Sequence, residues 1–226
     1  MTPAASSCAD GSALHVVRAV LCTGNAHKVT ELAELLAGIE LGALPDSIKL
    51  PPETGTTFEA NARIKAAAGA EHHAAASGLW SIADDSGLTV TALNDEPGVY
   101  SARFAGENAT DDDNVALLLE RLAGESNRAA AFHCVLVAIA PDGRELVARG
   151  RVDGTIAHAP SGDSGFGYDP VFVPVGHDES FAVLGAELKA SISHRAHAAA
   201  ELAQLLGAPA AARSNAAPSA PDCGTR

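Results

Sequence analysis

The apolar and polar positions of the first 57 residues predict a strand, a helix and a loop. Residues 16–23 are rich in β-branched side chains and stop at a Gly-Asn pair, which is typical of a strand that ends in a loop. A helix is predicted from Lys28, because apolar residues then recur with helical spacing at Val29, Leu32, Leu35, Leu36 and Ile39. Residues 40–57 contain prolines and glycines that interrupt any long element, so we expect a loop there.

The rest of the chain alternates between helical and strand-like segments. The predicted elements are a helix over 58–77, strands over 79–85 and 88–93, a helix over 110–124, strands over 129–140 and 145–152 joined by a hairpin turn, and a last helix whose start carries residues 189–195. A Gly-rich loop lies between the last strand and this helix.

Two adjacent carboxylates, Asp84 and Asp85, end the predicted strand at 79–85. Carboxylates at the end of a buried strand repel each other and resist desolvation, so we expect a cation beside them, most simply a metal ion. Asp, Ser and Gly are also ordinary turn residues, and the sequence IADDSG at 82–87 alone leaves both interpretations open. Three further aspartates at 111–113 follow Thr110, a good N-cap, and we interpret them as stabilising surface rather than as metal ligands.

Composition narrows the class of protein. The chain has 226 residues, of which 47% are hydrophobic and 19% charged, and this predicts a soluble globular protein with one domain. The formal net charge of -13 argues against a nucleic acid partner, because phosphate backbones are bound by clustered Lys and Arg. A small anionic substrate would need local cations or a metal ion.

The cysteines and the chain ends complete this picture. The four cysteines have no metal-ligand spacing, which predicts reduced thiols and a cytoplasmic protein. No apolar run approaches the roughly 20 residues of a membrane helix, so we expect no membrane partner. We expect a disordered leader at 1–15, a single two-lobed domain at 16–207 and a disordered Ala/Pro-rich tail at 208–226.

The sequence TGNAHK at 23–28 predicts an anion site. It lies at a strand-to-helix turn, where free backbone N–H groups and the helix dipole favour a phosphate. It is not a Walker A loop, because the second glycine and the Lys-Ser/Thr pair are absent. Lys28 would supply the point charge.

Near the C-terminal end, the Gly-rich loop at 161–170 carries two of the few aromatic residues, Phe166 and Tyr168. Phe166 suits either a stacking role or a place in the core, and the residues alone leave both open. Beyond the loop, three potential cations lie within seven residues: Lys189, His194 and Arg195.

Six motifs together resemble one known family. They are TGNAHK at 23–28, ETG with TFEANA at 53–62, ADDSGL at 83–88, PGVYSARFAG at 97–106, GFGYDP at 165–170 and K-x-x-x-SHR at 189–195. In this order they are similar to the Ham1/RdgB family of inosine triphosphatases, which act on non-standard purine nucleoside triphosphates. The resemblance covers about residues 16–207. It implies an α/β fold in which a mixed, elongated β-sheet with flanking helices forms two lobes around a central cleft.

The resemblance also implies an activity and a set of residues. It implies a homodimer that uses Mg²⁺ to hydrolyse ITP, dITP and XTP to the monophosphate and pyrophosphate. Glu53 and Asp85 would ligate Mg²⁺, and Asp85 would also orient or deprotonate the attacking water. The substrate-binding residues it implies are Thr23, Gly24, Asn25, Ala26, His27, Lys28, Ser86, Phe166, Gly167, Tyr168, Asp169, Lys189, His194 and Arg195.

One motif departs from the family pattern, and two other functions remain open. Family members commonly carry Glu directly before Asn61, where this chain has Ala60. The nearest carboxylate, Glu59, is rotated by about a quarter turn on a helix, so we do not assign it to the metal. The alternatives are a Maf-like pyrophosphatase of modified nucleotides and a nucleotide sensor without catalysis.

Overall fold

The computed structural model describes residues 16–45 and 47–208, without the side chains of 73–77. The predicted leader at 1–15 and the predicted tail beyond residue 208 lie outside the described residues. Six strands form one mixed sheet in the order β2-β1-β3-β4-β5-β6. Their bounds are β1 Arg18–Leu21, β2 Glu40–Ala43, β3 Trp80–Val90, β4 Ala129–Ile139, β5 Glu145–Ile156 and β6 Phe172–Pro174.

Five α-helices cover the two faces of this sheet. They are α1 Ala26–Leu35, α2 Phe58–Ser77, α3 Asp111–Arg121, α4 Phe181–Ile192 and α5 His194–Leu206. α5 packs on β4 and β5 and contacts α1, whereas α2 packs on β3 and β4 from the other face. The predicted mixed sheet with flanking helices is therefore confirmed. In the described ranges, no helix has the length and apolarity needed to cross a bilayer.

Several predicted elements need correction. The strands predicted at 79–85 and 88–93 are one continuous strand, β3, followed by a 3-10 turn at Thr91–Leu93. The segment 40–57 contains β2, which escaped prediction because it is a short, largely exposed edge strand. Lys189 belongs to α4, a separate helix before α5.

The corrected β3 places its two aspartates in mid-strand. Successive side chains of a strand point to opposite faces, so Asp84 faces the α1 and α5 side and Asp85 faces α2. The two carboxylates therefore face different surroundings, and the cation expected beside them is a lysine ammonium in each case: Lys28 at Asp84 and Lys65 at Asp85.

The cleft arises because β1 is shorter than β3. β1 pairs in parallel with β3 only along Ala19–Leu21, opposite Trp80–Ile82, while β4 pairs with β3 from Ser81 to Val90. Between Ala83 and Gly87, no strand in the described residues pairs with the edge of β3 that lies beside the carboxyl end of β1, and at Thr89 this edge is bridged by Pro97. Ligands of open α/β sheets bind at such strand ends.

On the opposite flank, α5 lies unusually close to the sheet at Gly150 of β5. A Cβ at this position would overlap the backbone oxygen of His194 and approach the backbone nitrogen of Ala198 to 2.5 Å. Because both obstacles are backbone atoms, only glycine lets the first turn of α5 pack at this depth.

Candidate active site

A cavity of about 330 Å³ lies at the free edge of β3. Most of the substrate and metal residues implied by the resemblance line it: Thr23, Gly24, Asn25, Lys28, Glu53, Asp85, Ser86, Phe166, Gly167, Tyr168, Asp169, His194 and Arg195. Ala26, His27 and Lys189 lie beside the cavity rather than along it. Lys65 is a further lining residue that the sequence analysis did not select.

The loop at 23–28 is shaped by Asn25, the N-cap of α1. Its side-chain oxygen accepts hydrogen bonds from the backbone N–H groups of His27, at 3.0 Å, and Lys28, at 3.2 Å. Two of the N–H groups expected to bind an anion are therefore already used. An anion at this loop would rely on the helix dipole and on the charge of Lys28.

Lys28 and Asp84 form a buried ion pair, with Nζ 2.8 Å from Oδ2. Burial opposes ionisation of Asp84, but the charges of Lys28, Lys65 and Arg195 outweigh it and lower its pKa to about 2. Asp84 thus positions Lys28 from behind the cleft, and the Ser86 hydroxyl lies 3.3 Å from the same carboxylate oxygen.

Asp85 lies on the other face among neutral and cationic groups. Its Oδ2 accepts a hydrogen bond from Asn61 Nδ2 at 3.1 Å, and its Oδ1 is 3.7 Å from Lys65 Nζ. Burial raises the pKa of Asp85 to about 6, although Lys65 and Lys28 act against it. Lys65 is the described cation nearest to this carboxylate, and a raised pKa suits a group that accepts a proton.

Glu53 joins Asp85 through the ammonium of Lys65. Lys65 Nζ is 2.5 Å from Glu53 Oε1, and Arg103 reaches the other oxygen of Glu53 at 3.9 Å from the rim. Because the ammonium of Lys65 lies near both carboxylates, a positive charge is placed between the two residues predicted to bind metal. Lys65 itself is only 4% exposed. Its presence shows that the geometry around Glu53 and Asp85 accommodates a cation.

The donor set fits Mg²⁺. Carboxylate oxygens are the hard ligands that Mg²⁺ prefers, and this ion typically keeps several waters and uses only one or two protein carboxylates together with substrate phosphates. Within the described part of the chain, no three His, Cys, Asp or Glu side chains are grouped so that they could hold an ion by themselves. A site of two carboxylates completed by water and substrate agrees with both points.

Glu59 lies away from this acid cluster. Its carboxylate binds Arg63, at 2.8 Å, and Arg149 of β5. The Arg63 and Arg149 hydrogen bonds hold the pKa of Glu59 below its usual range. Its exclusion from the metal-binding set therefore agrees with its position.

At the other end of the cavity, Phe166 is surrounded by polar rings and cations. The His27 ring stacks on it with 5.1 Å between centroids, Lys189 Nζ lies 4.6 Å from its centroid, and Arg195 lies 5.0 Å away. Phe166 lines the cavity and is only partly buried. Of the two roles left open by the sequence, this environment favours stacking on a ligand.

Asp169 and Tyr168 hold the loop that presents Phe166. Asp169 accepts a hydrogen bond from the Phe166 N–H at 2.8 Å and pairs with Lys189 at 2.6 Å. The Tyr168 hydroxyl donates to the Ser101 carbonyl oxygen at 2.9 Å, and burial raises its pKa. Both side chains use their polar atoms within the protein, so their contribution to a ligand is mainly to position the loop.

The cations near Phe166 are already paired. Glu31 of α1 accepts from Lys189 at 2.7 Å and from Arg195 at 3.0 Å, and Arg195 also donates to the Ser86 hydroxyl at 2.9 Å. Arg195 Nε is buried without a partner among the described residues. A buried N–H without a partner is a donor that a ligand would satisfy.

His194 is buried in the cavity wall with both ring nitrogens unpartnered in the described structure. Its ring stacks on Phe132 with 4.7 Å between centroids. Burial and the nearby positive charges lower its pKa well below the usual range, so the ring is neutral at pH 7. A neutral imidazole offers one donor and one acceptor, and both are available here.

Three contributors were missed at the sequence level: Glu31, Asn61 and Lys65. Glu31 follows Lys28 by almost one helical turn and Lys65 follows Asn61 by four residues, so each shares a helix face with a motif residue. This helical spacing is the feature of the sequence that would have identified Glu31 and Lys65. Asp111, the first residue of α3, makes a contact that the sequence did not predict. Its carboxylate accepts a hydrogen bond from the Gly167 N–H at 2.6 Å.

Comparison with known proteins identifies the family. The Ham1 family model matches residues 19–205. The dITP/XTP pyrophosphatase of Deinococcus deserti is 47% identical over 195 residues, which cover 85% of this chain and 91% of that protein. The dITP/XTP pyrophosphatase of Shigella flexneri is 47% identical over 188 residues, covering 80% and 93%.

Solved structures agree with the sequence comparison. A HAM1 protein from Coxiella burnetii superposes with a TM-score of 0.75 at 40% identity, over 85% of this chain and 99% of that one. The Staphylococcus aureus Ham1 protein gives a TM-score of 0.75 at 39% identity, over 84% and 98%. The family model and these relatives each cover at least 80% of the chain, and the chain belongs to the Ham1 family.

Proposed function

We propose that this protein hydrolyses non-standard purine nucleoside triphosphates, of the dITP and XTP type, to the monophosphate and pyrophosphate. One observation carries the proposal: a single cavity has a carboxylate cluster suited to metal-dependent hydrolysis at one end and an aromatic ring with unpaired polar groups at the other. Relatives that are 47% identical are named dITP/XTP pyrophosphatases, which supports the same substrate class here.

The triphosphate would lie between the loop at 23–28 and the acid cluster. Lys28, held by Asp84, and Lys65, held by Glu53, face this region from opposite sides of β3. Their ammonium groups would stabilise the charge that develops on the leaving pyrophosphate. Thr23, Gly24 and Asn25 line the cavity beside them.

Asp85 would orient the attacking water and accept its proton. Burial raises its pKa, which favours proton uptake from water relative to an exposed carboxylate. Mg²⁺ held by Glu53 and Asp85 would neutralise phosphate charge and acidify bound water. Asn61 binds Oδ2 of Asp85, and Oδ1 is directed toward Lys65, in the region between Asp85 and Glu53 that we call the cation region.

The base would stack on Phe166 and be read by His194 and Arg195. A 6-keto purine presents an acceptor oxygen at C6, which matches the unpaired Nε–H of Arg195. Adenine presents a donor at the same place, so ATP would leave buried donors unpaired. Sites built on such hydrogen bonds reject the wrong analogue by roughly 10⁴-fold.

We further propose that the protein works as a cytoplasmic homodimer without nucleic acid or membrane partners. The net charge of -13 disfavours contact with phosphate backbones, and two cysteines, Cys22 and Cys134, are buried as free thiols, which suits a reducing compartment. The homodimer follows from the family resemblance, and light scattering of the purified protein tests it.

The decisive experiment is a nucleotide panel assayed for pyrophosphate release with Mg²⁺ and with EDTA. We expect turnover of ITP, dITP and XTP well above ATP, and loss of all turnover in EDTA. Equal turnover of ATP and ITP would contradict the substrate assignment. Binding of ITP without pyrophosphate release would instead indicate a nucleotide sensor.

A further inference from the structure

Asn61 lies in the first turns of α2 and is fully buried. Its Nδ2 donates to Asp85 Oδ2 at 3.1 Å, and its Oδ1 accepts the backbone N–H of Gly55 at 2.7 Å. A carboxylate only accepts and a backbone N–H only donates, so the partners permit a single orientation of the amide. Both ends of a buried, planar group are thereby fixed.

The two groups that Asn61 joins belong to the two segments that carry the candidate metal ligands. Gly55 lies two residues after Glu53, and Asp85 is the ligand on β3. The loop is pressed closely onto α2, because a Cβ at Gly55 would lie 2.7 Å from both the Ala60 Cβ and the Asn61 Oδ1. The position of this loop is therefore set directly by the Asn61 side chain.

A second link runs beside the first. Lys65, four residues after Asn61 and so on the same face of α2, contacts Glu53 at 2.5 Å and lies 3.7 Å from Asp85 Oδ1. Asn61 occupies Oδ2 of Asp85, so Oδ1 is the oxygen that faces the cation region. Lys65 supplies charge, whereas the rigid amide determines the direction in which Asp85 points.

We propose that Asn61 is a positioning residue that sets the relative placement of Glu53 and Asp85 for the divalent cation. The proposal rests on the proposed function for its catalytic meaning, but its cation-binding content can be measured separately. Groups that orient metal ligands typically contribute 10–100-fold to metal affinity or activity. A residue that only stabilised α2 would affect folding and leave cation affinity unchanged.

The test is Asn61→Leu, which keeps the approximate shape and removes both hydrogen bonds. Binding of Mn²⁺ alone to the nucleotide-free protein is followed by the electron paramagnetic resonance signal of free Mn²⁺. We expect the Mn²⁺ dissociation constant to rise about 10–100-fold. The Mg²⁺ concentration for half-maximal ITP turnover should rise in parallel, with KM for ITP at saturating Mg²⁺ changing less than about threefold.

Asn114 offers a matched control, because it is also a buried amide with both ends hydrogen-bonded, in this case to two backbone groups. Its Oδ1 accepts the Ala105 N–H at 2.8 Å and its Nδ2 donates to the Ala102 carbonyl at 3.3 Å. Asn114→Leu should lower the melting temperature comparably but leave Mn²⁺ affinity as in the wild type. An Asn61→Leu protein that binds Mn²⁺ within threefold of the wild type overturns the proposal.

Two further results keep the interpretation clear. If Asn61→Leu does not fold, Asn61→Ser is measured in its place, since a short hydroxyl cannot span both partners and should show the same loss of Mn²⁺ affinity. Wild-type affinity in Asn61→Ser would overturn the proposal equally. A wild-type protein that binds Mn²⁺ but does not hydrolyse ITP contradicts the proposed function and leaves the Asn61 result standing.

Discussion

The cleft has an acid end, which contains Glu53 and Asp85, and a base end beside Phe166, where the purine is proposed to bind. Each end contains a buried carboxylate near a lysine, but only one of the two pairs is within hydrogen-bond distance. At the base end, Asp169 lies 2.6 Å from Lys189 and also accepts a backbone N–H. At the acid end, Asp85 is 3.7 Å from Lys65, and its hydrogen bond comes from a neutral amide. Burial raises the pKa of both carboxyl groups.

This difference suits two separate tasks: the base end would position the substrate, and the acid end would carry out hydrolysis. Lys189 and Arg195 are balanced by Glu31 and Asp169, so the base end is a neutral, preorganised network that keeps a few polar atoms free. At the acid end, Lys65 Nζ lies 3.7 Å from Asp85 and is closer to Glu53, at 2.5 Å, so Asp85 is less tightly paired than Asp169. Binding specificity and hydrolysis should therefore respond to different substitutions.

Asp85→Asn should give the largest effect. The amide is isosteric and removes a buried charge, so we expect normal folding, but it cannot accept the proton of water and it weakens cation binding. Turnover should fall at least about 100-fold. Pyrophosphate release and a thermal melt are measured together, and retained turnover would remove Asp85 from the mechanism.

Arg195→Ala should act at the opposite end, on selectivity. Loss of the free Nε–H removes a donor that distinguishes a keto oxygen from an amine, so the ratio of kcat/KM for ITP over ATP should fall by about 10–100-fold. Phe166→Ala is the comparison, because stacking does not depend on the base edge and all purines should weaken alike. An unchanged ITP/ATP ratio in Arg195→Ala would place base reading elsewhere.

The sequence could predict much of the acid end because its residues sit in short motifs on regular elements. The helix carrying Asn61 follows from its Ala-rich composition and its cap at Gly78, and the strand carrying Asp85 follows from a run of apolar residues. The opposite orientation of Asp84 could not be predicted without knowing that β3 continues to Val90, since the sequence places a turn there as readily as a strand. A strand's length is decided by its pairing with β4, which is a long-range contact.

The ion pairs of the base end could not be predicted because they join distant parts of the chain. Glu31 meets Lys189 and Arg195 across more than 150 residues. Local spacing contains no information on which carboxylate will neutralise which cation. The short strand β6 and the division between α4 and α5 were missed for the same reason, as neighbouring elements rather than periodicity define them.

A smaller effect is expected at Asp111, which links α3 to the base loop through the Gly167 N–H. An exposed hydrogen bond to a carboxylate contributes about 1 kcal/mol, so Asp111→Ala should raise KM for ITP about fivefold and leave kcat unchanged. Asp112→Ala is the control, since in the described structure Asp112 has no hydrogen bond to this loop. Equal KM values for the two variants would contradict a positioning role for Asp111.

The remaining prediction concerns stability rather than turnover, and it depends on pH and His194. Its pKa is lowered in the folded protein, so below the ordinary value of about 6.5 the unfolded chain takes up a proton that the native state does not. Stability from this group is complete above pH 6.5 and is lost as the pH falls below it, by at most about 1.4 kcal/mol per pH unit. Urea unfolding at pH 7.5, 6.5 and 5.5 should show a shallower dependence in His194→Phe. Parallel curves for the two proteins would refute this.

The glycine of β5 against which α5 rests gives the base end a means of change that the acid end lacks. His194 and Arg195 begin α5, and the depth of that helix is limited by Gly150, a residue outside the cavity. A side chain at 150 would displace the start of α5 and with it His194 and Arg195, the residues proposed to read the base. Under the proposed function, one position that does not line the cavity would thus change base selectivity without replacing any residue of the acid end.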